Sequence, residues 1–487
     1  MIATENMQDL LKKYRASLHS LGIYRNLLKD PVITSLYDLV DKVFDYVNCN
    51  KGDIYQVIDC YGRFFHALSC ADKLFGFCQL DEYVIKQVIY DENIFSKTAE
   101  HIKCHELNPQ LKEAVLSDLI NISVISSINS RIIKESICSK LIRDSYEYEA
   151  VNELPDWSFS LISETGNFTN LKTNPKIVQD TKKMNSKDTI TEMAQKLSVL
   201  LNTEQYESCL KELSDFHYNN GHGIFTQYKA FVWTKEDNGA GYFKGINCID
   251  NIRLSDLVEY EMEREIVIEN TLKFLNGYRA NNVLLYGDRG TGKSSTVKAI
   301  LNEYHDRGLR IIELPKNHLY DFPQIVSLLE GRKNKFIIFI DDLSFDDNEQ
   351  SYTALKAALE GTLASRPENV VIYATSNRRH LIKERFSDRT GLQSVNENEE
   401  IHAADTMQEK LSLADRFGIT VIFSSPDKKK YLRIVDHLAS QYGISMDMDT
   451  LHREALKWEI NYNGRSPRTA KQFIEWLSGK AANHNHP

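Results

Sequence analysis

The sequence contains no pair of cysteines in a C-x-x-C spacing, although eight cysteines are spread through its 487 residues. Paired cysteines hold structural zinc, and closely spaced sets form the disulfide frameworks of small secreted domains. We therefore expect reduced thiols and no zinc held by cysteines. His101, Cys104 and His105 lie close together, but the sequence offers no second pair of metal ligands to complete a site with them. We therefore interpret these three residues as structural.

The sequence also lacks the roughly 20 consecutive apolar residues that a membrane-spanning helix needs. Its most apolar stretch, Leu119 to Ile133, is interrupted by polar residues and predicts a buried helix. The N-terminus has neither the charged region nor the apolar core of a signal peptide. We therefore expect a cytoplasmic protein that does not contact a membrane.

An excess of positive charge is missing as well, since the formal net charge is -9 at pH 7. Domains dedicated to nucleic-acid binding are usually basic, so the whole chain does not fit that class. The net charge does not exclude a local basic surface. A composition of 42% hydrophobic and 26% charged residues is typical of a globular protein, and the length suits roughly three domains.

The first half of the sequence has no set of side chains typical of a catalytic site. Residues 1–155 predict a helical N-terminal domain, because apolar residues recur three or four apart in segments such as Ile33 to Val47. Residues 156–245, which are at first polar and rich in lysine, predict a linker and mixed connecting region. The many aromatic residues of the first half suit core packing better than a protein-binding surface.

Residues 283–294 combine a strand, a glycine-rich loop and the start of a helix. Val283 to Tyr286 are apolar, and the following residues have the spacing G-x-x-x-x-G-K-[ST] of a Walker A loop. Glycines let backbone N–H groups surround phosphate oxygens, and the helix directs its positive end at the same anion. We predict ATP binding, with Lys293 at the β and γ phosphates and Ser294 on Mg²⁺. The predicted loop residues are Gly287, Asp288, Arg289, Gly290, Thr291, Gly292, Lys293, Ser294 and Ser295.

Two further strands end in polar side chains. Phe336 to Ile340 lead into Asp341 and Asp342, and the strand from Val370 leads into Asn377. Open α/β sheets bind their ligands at the carboxyl ends of their strands. The pattern predicts that Asp341 holds Mg²⁺, that Asp342 orients the attacking water and that Asn377 reaches the γ phosphate or that water.

Short apolar runs alternate with helical segments from residue 246 onward, which predicts a parallel sheet covered on both faces. The order of motifs resembles an AAA+ ATPase. The resemblance rests on the Walker A loop, Ile340-Asp-Asp-Leu, Ala374-Thr-Ser-Asn-Arg-Arg-His-Leu, Asp415-Arg-Phe-Gly and Gly464-Arg-Ser-Pro-Arg-Thr-Ala-Lys. Within AAA+ proteins the chain is most similar to an uncharacterised bacterial family of stand-alone ATPases, and more distantly to helicase loaders and transposition helper ATPases.

The resemblance implies an α/β fold in which helices sandwich a P-loop parallel sheet. It places an AAA+ core at residues 246–425 and a helical lid at residues 426–487, preceded by the mostly helical N-terminal domain. Leu257 and Val258 resemble the apolar residues beside adenine. The catalytic residues that it implies are Lys293, Asp341, Asp342, Asn377, Arg416 and Arg468, and the metal ligands are Ser294 and Asp341.

The resemblance also assigns three of these residues to named positions of the family. Asn377 is similar to sensor 1, Arg468 to sensor 2 on the lid, and Arg416 to the arginine finger that reaches the nucleotide of a neighbouring subunit. Arg385 and Arg389 are alternative fingers, and a surface ion pair is the alternative role for Arg416.

The sequence departs from the AAA+ pattern at Asp342, where many active members have glutamate, and this implies slow or partner-dependent hydrolysis. The acidic stretch from Phe386 to Gln408 predicts a mobile or partner-facing loop, or simply a solvated one.

The leading hypothesis is a homo-oligomeric ATPase that remodels a protein or nucleoprotein partner recruited by the N-terminal half. One alternative is an ATP-dependent assembly switch with little hydrolysis. Another is a helicase-loader-like nucleic-acid adaptor, suggested by Arg378, Arg379, Lys383 and the run from Lys428 to Lys430.

Overall fold

The computed structural model describes residues 7–49, 51–71, 79–157, 189–236, 239–343, 367–377, 416–462 and 464–484, and also 355, 356 and 359. The chain divides into two compact units, Met1–Thr226 and Gln227–Pro487. Among the described residues, no helix is long and apolar enough to cross a membrane.

The first unit is built from helices. Their bounds are Met7–His19 (α1), Pro31–Cys49 (α2), Ile54–Ser69 (α3), Leu80–Tyr90 (α4), Ile94–Ala99 (α5), Pro109–Ser126 (α6), Ser130–Cys138 (α7), Tyr146–Asn152 (α8), Thr189–Asn202 (α9), Tyr206–Asn220 (α10) and Ile224–Gln227 (α11). Residues such as Leu36, Val40 and Val43 of α2 have the helical spacing and are fully buried, as expected of one apolar face turned to a core.

The predicted single helix over Leu119 to Ile133 is wrong, because the structure has two helices there. α6 ends at Ser126 and α7 begins at Ser130. The side chain of Asn129 accepts a hydrogen bond from the N–H of Ile132 at 3.2 Å and so caps the second helix. Asparagine at this position favours a helix start over a helix interior.

The boundary between the two units differs from the boundaries that the sequence suggested at residues 155 and 245. Leu197 and Leu201 of α9 and Leu213 of α10 belong to the same buried core as α1 to α8. These helices therefore complete the first unit rather than connect it to the second. Long-range packing of this kind leaves no local mark in the sequence.

The second unit contains a seven-stranded sheet within the described residues, in the order β2-β1-β4-β5-β6-β3-β7. The strands are Ala230–Lys235 (β1), Gly241–Gly245 (β2), Val283–Gly287 (β3), Leu309–Glu313 (β4), Lys335–Ile340 (β5), Val370–Ser376 (β6) and Ile419–Phe423 (β7). The helices are Glu261–Leu275 (α12), Lys293–Tyr304 (α13), Phe322–Leu329 (α14), Lys428–Gln441 (α15), Met448–Asn461 (α16) and Pro467–His484 (α17).

β1 and β2 form a hairpin that belongs to this sheet and not to a linker. β1 is antiparallel to β2 and parallel to β4, with Ala230 opposite Ile311. Trp233 of β1 is fully buried, and its indole N–H donates to a carboxylate oxygen of Asp321 at 3.0 Å. Burial of this large aromatic residue holds the hairpin in the sheet.

The central strands end side by side. Ile340 of β5 pairs with Ala374 of β6, and Tyr286 of β3 pairs with Ser376. β5 and β6 are buried almost throughout, as is typical of a parallel sheet covered on both faces. The register therefore brings the residues that follow β3, β5 and β6 to one edge of the sheet. The predicted α/β fold, with its parallel sheet, helical N-terminal region and C-terminal helices, is confirmed.

Candidate nucleotide-binding site

A cleft of about 550 Å³ lies at the carboxyl edge of the sheet, against helices α15 and α17. We call helices α15, α16 and α17 together the lid. Most of the predicted site residues line this cleft, namely Leu257, Val258, Arg289, Gly290, Thr291, Gly292, Lys293, Ser294, Ser295, Asp341, Asp342, Asn377 and Arg468. Gly287 and Asp288 belong to the same loop but do not line the cleft.

The phosphate loop leaves β3 through a glycine that no other residue can replace without movement. Gly287 has φ 138°, and a Cβ there would lie 2.0 Å from the backbone oxygen of Phe423. Gly292, with φ 96°, precedes the first turn of α13. Both backbone conformations favour glycine, and together they aim the N-terminus of α13 into the cleft.

Lys293 lies under the loop, with only 6% of its surface exposed. Its Nζ donates to the carbonyl oxygens of Gly287 at 2.9 Å and Asp288 at 2.7 Å, and to Oδ1 of Asn377 at 3.1 Å. Burial lowers the pKa of Lys293 from 10.5 to about 8, although nearby carboxylates oppose this shift. The ammonium group is thus held by neutral oxygens, which a phosphate can replace at a gain in attraction.

Two carboxylates follow β5, and a buried hydroxyl joins them. Oδ1 of Asp341 accepts hydrogen bonds from the hydroxyl groups of Ser294 and Thr375, each at 2.6 Å. The backbone N–H of Asp342 donates to the same Thr375 oxygen at 2.9 Å. Thr375 therefore positions Asp341 through its side chain and Asp342 through its backbone.

Asp342 is exposed, and polar groups face both of its oxygens. Oδ1 accepts from the amide of Asn377 at 2.5 Å, and Oδ2 lies 3.9 Å from Nζ of Lys316. Its φ of 51° is unusual for a residue other than glycine. Asn377 therefore connects Lys293 to Asp342, so that a change at either side chain reaches the other.

Ser294 and Asp341 present oxygen atoms that suit Mg²⁺, which prefers hard oxygen ligands. Among the described residues, no group of three or more histidine, cysteine, aspartate or glutamate side chains is arranged to hold a metal ion. Mg²⁺ usually takes only one or two protein ligands and fills its shell with water and substrate phosphates. The donor set here fits that kind of site.

The apolar end of the cleft combines core and lid residues. Leu257, Val258 and Tyr260 come from the segment before α12, whereas Ile434 and Leu438 come from α15. The guanidinium group of Arg264 donates to the carbonyl oxygen of Leu257 at 2.9 Å and also to that of Glu259. The sequence indicated only Leu257 and Val258, because the lid residues have no motif of their own.

The lid contacts the phosphate loop directly. The N–H of Arg468 donates to the carbonyl oxygen of Gly290 at 3.2 Å. The side chains of Arg468 and Lys471 both line the cleft, one turn apart on α17. Lys471 was not predicted, although its three-residue spacing from Arg468 places the two cations on one helix face.

Arg416 does not line the cleft of its own chain. It precedes β7, whose first residue, Ile419, pairs with Val283 at the start of β3. The phosphate loop leaves the other end of β3, about 13 Å away for a strand of this length. The alternative fingers Arg385 and Arg389, the basic residues Arg378, Arg379 and Lys383, and the acidic stretch 386–408 lie outside the described residues.

Replacing Thr375 by valine, which has nearly the same shape, is expected to raise the Mg²⁺ concentration for half-maximal ATP turnover by about 10- to 100-fold. The loss follows because Asp341 and the Asp342 backbone lose one shared hydroxyl. Thr375→Ser keeps that hydroxyl and is expected to stay close to wild type. Equal Mg²⁺ dependence for the valine and serine variants would contradict this role.

A family model matches the second half of the sequence. The DUF815 family, described as proteins of unknown function, matches residues 226–481. A Methanocaldococcus jannaschii protein, described as a 26S proteasome regulatory subunit homologue, is 27% identical over 227 residues, covering 42% of this chain and 60% of that protein. The chain thus spans less than two thirds of this curated relative's length.

Two solved structures show distant likeness. Thermotoga maritima RuvB, a Holliday junction branch migration motor, has a TM-score of 0.33 at 16% identity, covering 48% of this chain and 66% of that one. The AAA domain of FIGL-1 in complex with ADP also has a TM-score of 0.33 at 16% identity, covering 49% of this chain and 77% of that one. Because the family match spans more than half of the sequence, the chain belongs to the DUF815 family.

Proposed function

We propose that this protein binds ATP together with Mg²⁺ and hydrolyses it. The observation that carries the proposal is the continuous set of contacts from Ser294 and Lys293 of the loop to Asp341, Asp342 and Asn377 at the strand ends. Phosphoryl transfer requires positioning and charge neutralisation more than covalent chemistry. These side chains supply both.

Each residue has a distinct part in the proposed reaction. Lys293 exchanges its carbonyl partners for the β and γ phosphate oxygens, and Arg468 neutralises charge from the lid side. Ser294 and Asp341 hold Mg²⁺, which when bound would neutralise phosphate charge. Asp342 orients the attacking water. Asn377 is hydrogen-bonded to both Lys293 and Asp342, so that a movement of Lys293 on phosphate binding changes the position of the Asp342 carboxylate.

An assembly switch with little hydrolysis is the second candidate. It is supported by the contacts of Asp342, because the amide of Asn377 already occupies Oδ1 and Lys316 lies near Oδ2. A carboxylate whose oxygens already face donors has less room to accept a hydrogen bond from water. ATP binding could then control assembly while turnover remains slow.

We further propose that two copies of the chain share each site and that nucleotide-driven movement acts on a partner held by the first unit. The position of Arg416 supports sharing, since about 13 Å of strand separates it from the phosphate loop of its own chain. An arginine outside the cleft of its own chain can serve a neighbour's nucleotide, where it would raise the rate about 10³- to 10⁵-fold.

The test is ATP turnover by wild type, Lys293→Ala and Arg416→Ala, alone and mixed. Lys293→Ala is expected to lower turnover by about 10²-fold or more. Mixed subunits are expected to regain part of the activity, because one copy supplies the intact loop and the other the arginine. Lys298→Ala on the same helix and the exposed Arg279→Ala are matched controls.

Two outcomes would overturn these proposals. Wild-type protein that binds no ATP contradicts nucleotide function altogether. Turnover per subunit that is constant across protein concentrations, with Arg416→Ala equal to Arg279→Ala, contradicts shared sites but leaves ATP hydrolysis intact.

A further inference from the structure

The phosphate loop contains an acidic residue, Asp288, whose charge would repel a nucleotide if it faced the cleft. Its carboxylate points elsewhere. Both the backbone N–H and the hydroxyl group of Ser425 donate to Oδ2 of Asp288, at 2.8 Å and 2.7 Å. These two hydrogen bonds hold the pKa of Asp288 below its usual value. The loop residues that line the cleft begin only at Arg289.

Ser425 belongs to the lid connection, which we define as residues 424–427 between β7 and α15. Other contacts hold the same segment. The hydroxyl of Tyr260 donates to the carbonyl oxygen of Ser424 at 2.6 Å. Just before this segment, at the end of β7, the backbone N–H of Asp288 donates to the carbonyl oxygen of Phe423 at 3.0 Å. Asp427 caps α15 by accepting from the N–H of Lys430 at 2.8 Å. The path of the chain into the lid is therefore set by the residues beside it.

The backbone of Asp288 faces the buried lysine. Its carbonyl oxygen accepts hydrogen bonds from Nζ of Lys293 at 2.7 Å and from the hydroxyl of Thr291 at 2.9 Å. A single residue thus contacts the phosphate-binding lysine with its main chain and the lid connection with its side chain. Phosphate binding that draws Lys293 away from this carbonyl removes one of the restraints on Asp288.

We infer that Asp288 is a positioning residue that holds the lid connection against the phosphate loop and transmits nucleotide binding from Lys293 to the lid. The transmission rests on the proposed ATP binding, whereas the holding contact exists without nucleotide. Gly290, two residues further along the loop, receives the N–H of Arg468 and gives the lid a second contact with the loop. The loop therefore contacts the chain at two places, just before α15 and at the start of α17.

Hydrogen–deuterium exchange on the full chain tests this inference. Without nucleotide, Asp288→Ala is expected to speed exchange in peptides covering residues 424–430 by about tenfold, the loss expected when a backbone N–H loses its acceptor. Asp288→Asn keeps an acceptor oxygen and is expected to exchange at close to the wild-type rate. The backbone N–H and the hydroxyl of Ser425 both donate to the same oxygen of Asp288, which Asp288→Ala removes. Adding Ser425→Ala to Asp288→Ala is therefore expected to cause no further change in exchange.

Nucleotide addition tests the transmission. Wild type is expected to gain protection in α15 and α17 with ATP, and Asp288→Ala to lose most of that response when ATP saturates both proteins. Wild-type exchange at 424–430 in Asp288→Ala overturns the holding contact. A large loss of ATP affinity without faster exchange makes Asp288 a nucleotide ligand and also overturns it. If wild type binds no nucleotide, the proposed function fails, whereas the nucleotide-free comparison still decides the holding contact.

Discussion

Gly287→Ala is expected to lower the free energy of unfolding by about 4 kcal/mol, near the top of the range for single substitutions, and to abolish ATP binding. The added Cβ would lie 2.0 Å from the oxygen of Phe423 and 2.6 Å from its carbon. Both atoms are backbone atoms of a paired strand, so no side chain can turn aside. β7 or the phosphate loop has to move.

A matched control is Gly331→Ala, at a glycine that also has positive φ, 74°, but whose Cβ would meet nothing within 4 Å. It tests the backbone conformation without the collision and is expected to cost about 1–2 kcal/mol. Thermal and denaturant unfolding of both variants give the comparison. Equal losses at the two glycines would show that the contact with Phe423 is not what constrains the loop.

Asp342→Asn is expected to reduce ATP turnover by about 10²- to 10⁴-fold while ATP affinity stays within about threefold of wild type. The amide keeps the size of the side chain and can still accept from Asn377. It removes the negative charge that, in the proposed reaction, orients the attacking water. Single-turnover kinetics and equilibrium nucleotide binding separate the two effects, with the exposed Glu330→Gln as a control for loss of one charge.

This substitution also distinguishes the two candidate functions. Very slow wild-type turnover that Asp342→Asn does not lower further favours the assembly switch. Rapid wild-type turnover that Asp342→Asn leaves unchanged makes the assignment of Asp342 wrong. In that case Lys316, near Oδ2 of Asp342, indicates that the carboxylate is held for a structural reason.

Local pattern predicted the centre of the second unit well. The strand expected at Val283 to Tyr286 ends one residue later, at Gly287, and the strand expected at Phe336 to Ile340 begins one residue earlier, at Lys335. The loop between β3 and α13 also lies where its spacing placed it. These features depend on short runs of apolar residues and on glycine, which act over a few neighbouring positions.

Features that depend on distant pairing were not predicted. Thr375 looked like part of an ordinary strand end, and only the register of β5 against β6 brings its hydroxyl to Asp341. Ser425 had no motif, and its partner Asp288 lies far away in the sequence. Lys471 and the lid residues at the apolar end of the cleft were likewise not predicted from the sequence. Each of these residues contributes to the site only because the fold brings it next to residues that are distant in the sequence.

The β1–β2 hairpin determines where a recombinant fragment that contains only the second unit has to begin. The motifs lie between residues 246 and 480, so a recombinant fragment chosen from them would begin after both strands. That fragment would uncover the side of β4 that pairs with β1 at Ala230 to Val232. Unpaired N–H and C=O groups along such an edge attract strands of other molecules and promote aggregation. A soluble fragment therefore has to start near residue 227, upstream of every residue that touches the cleft.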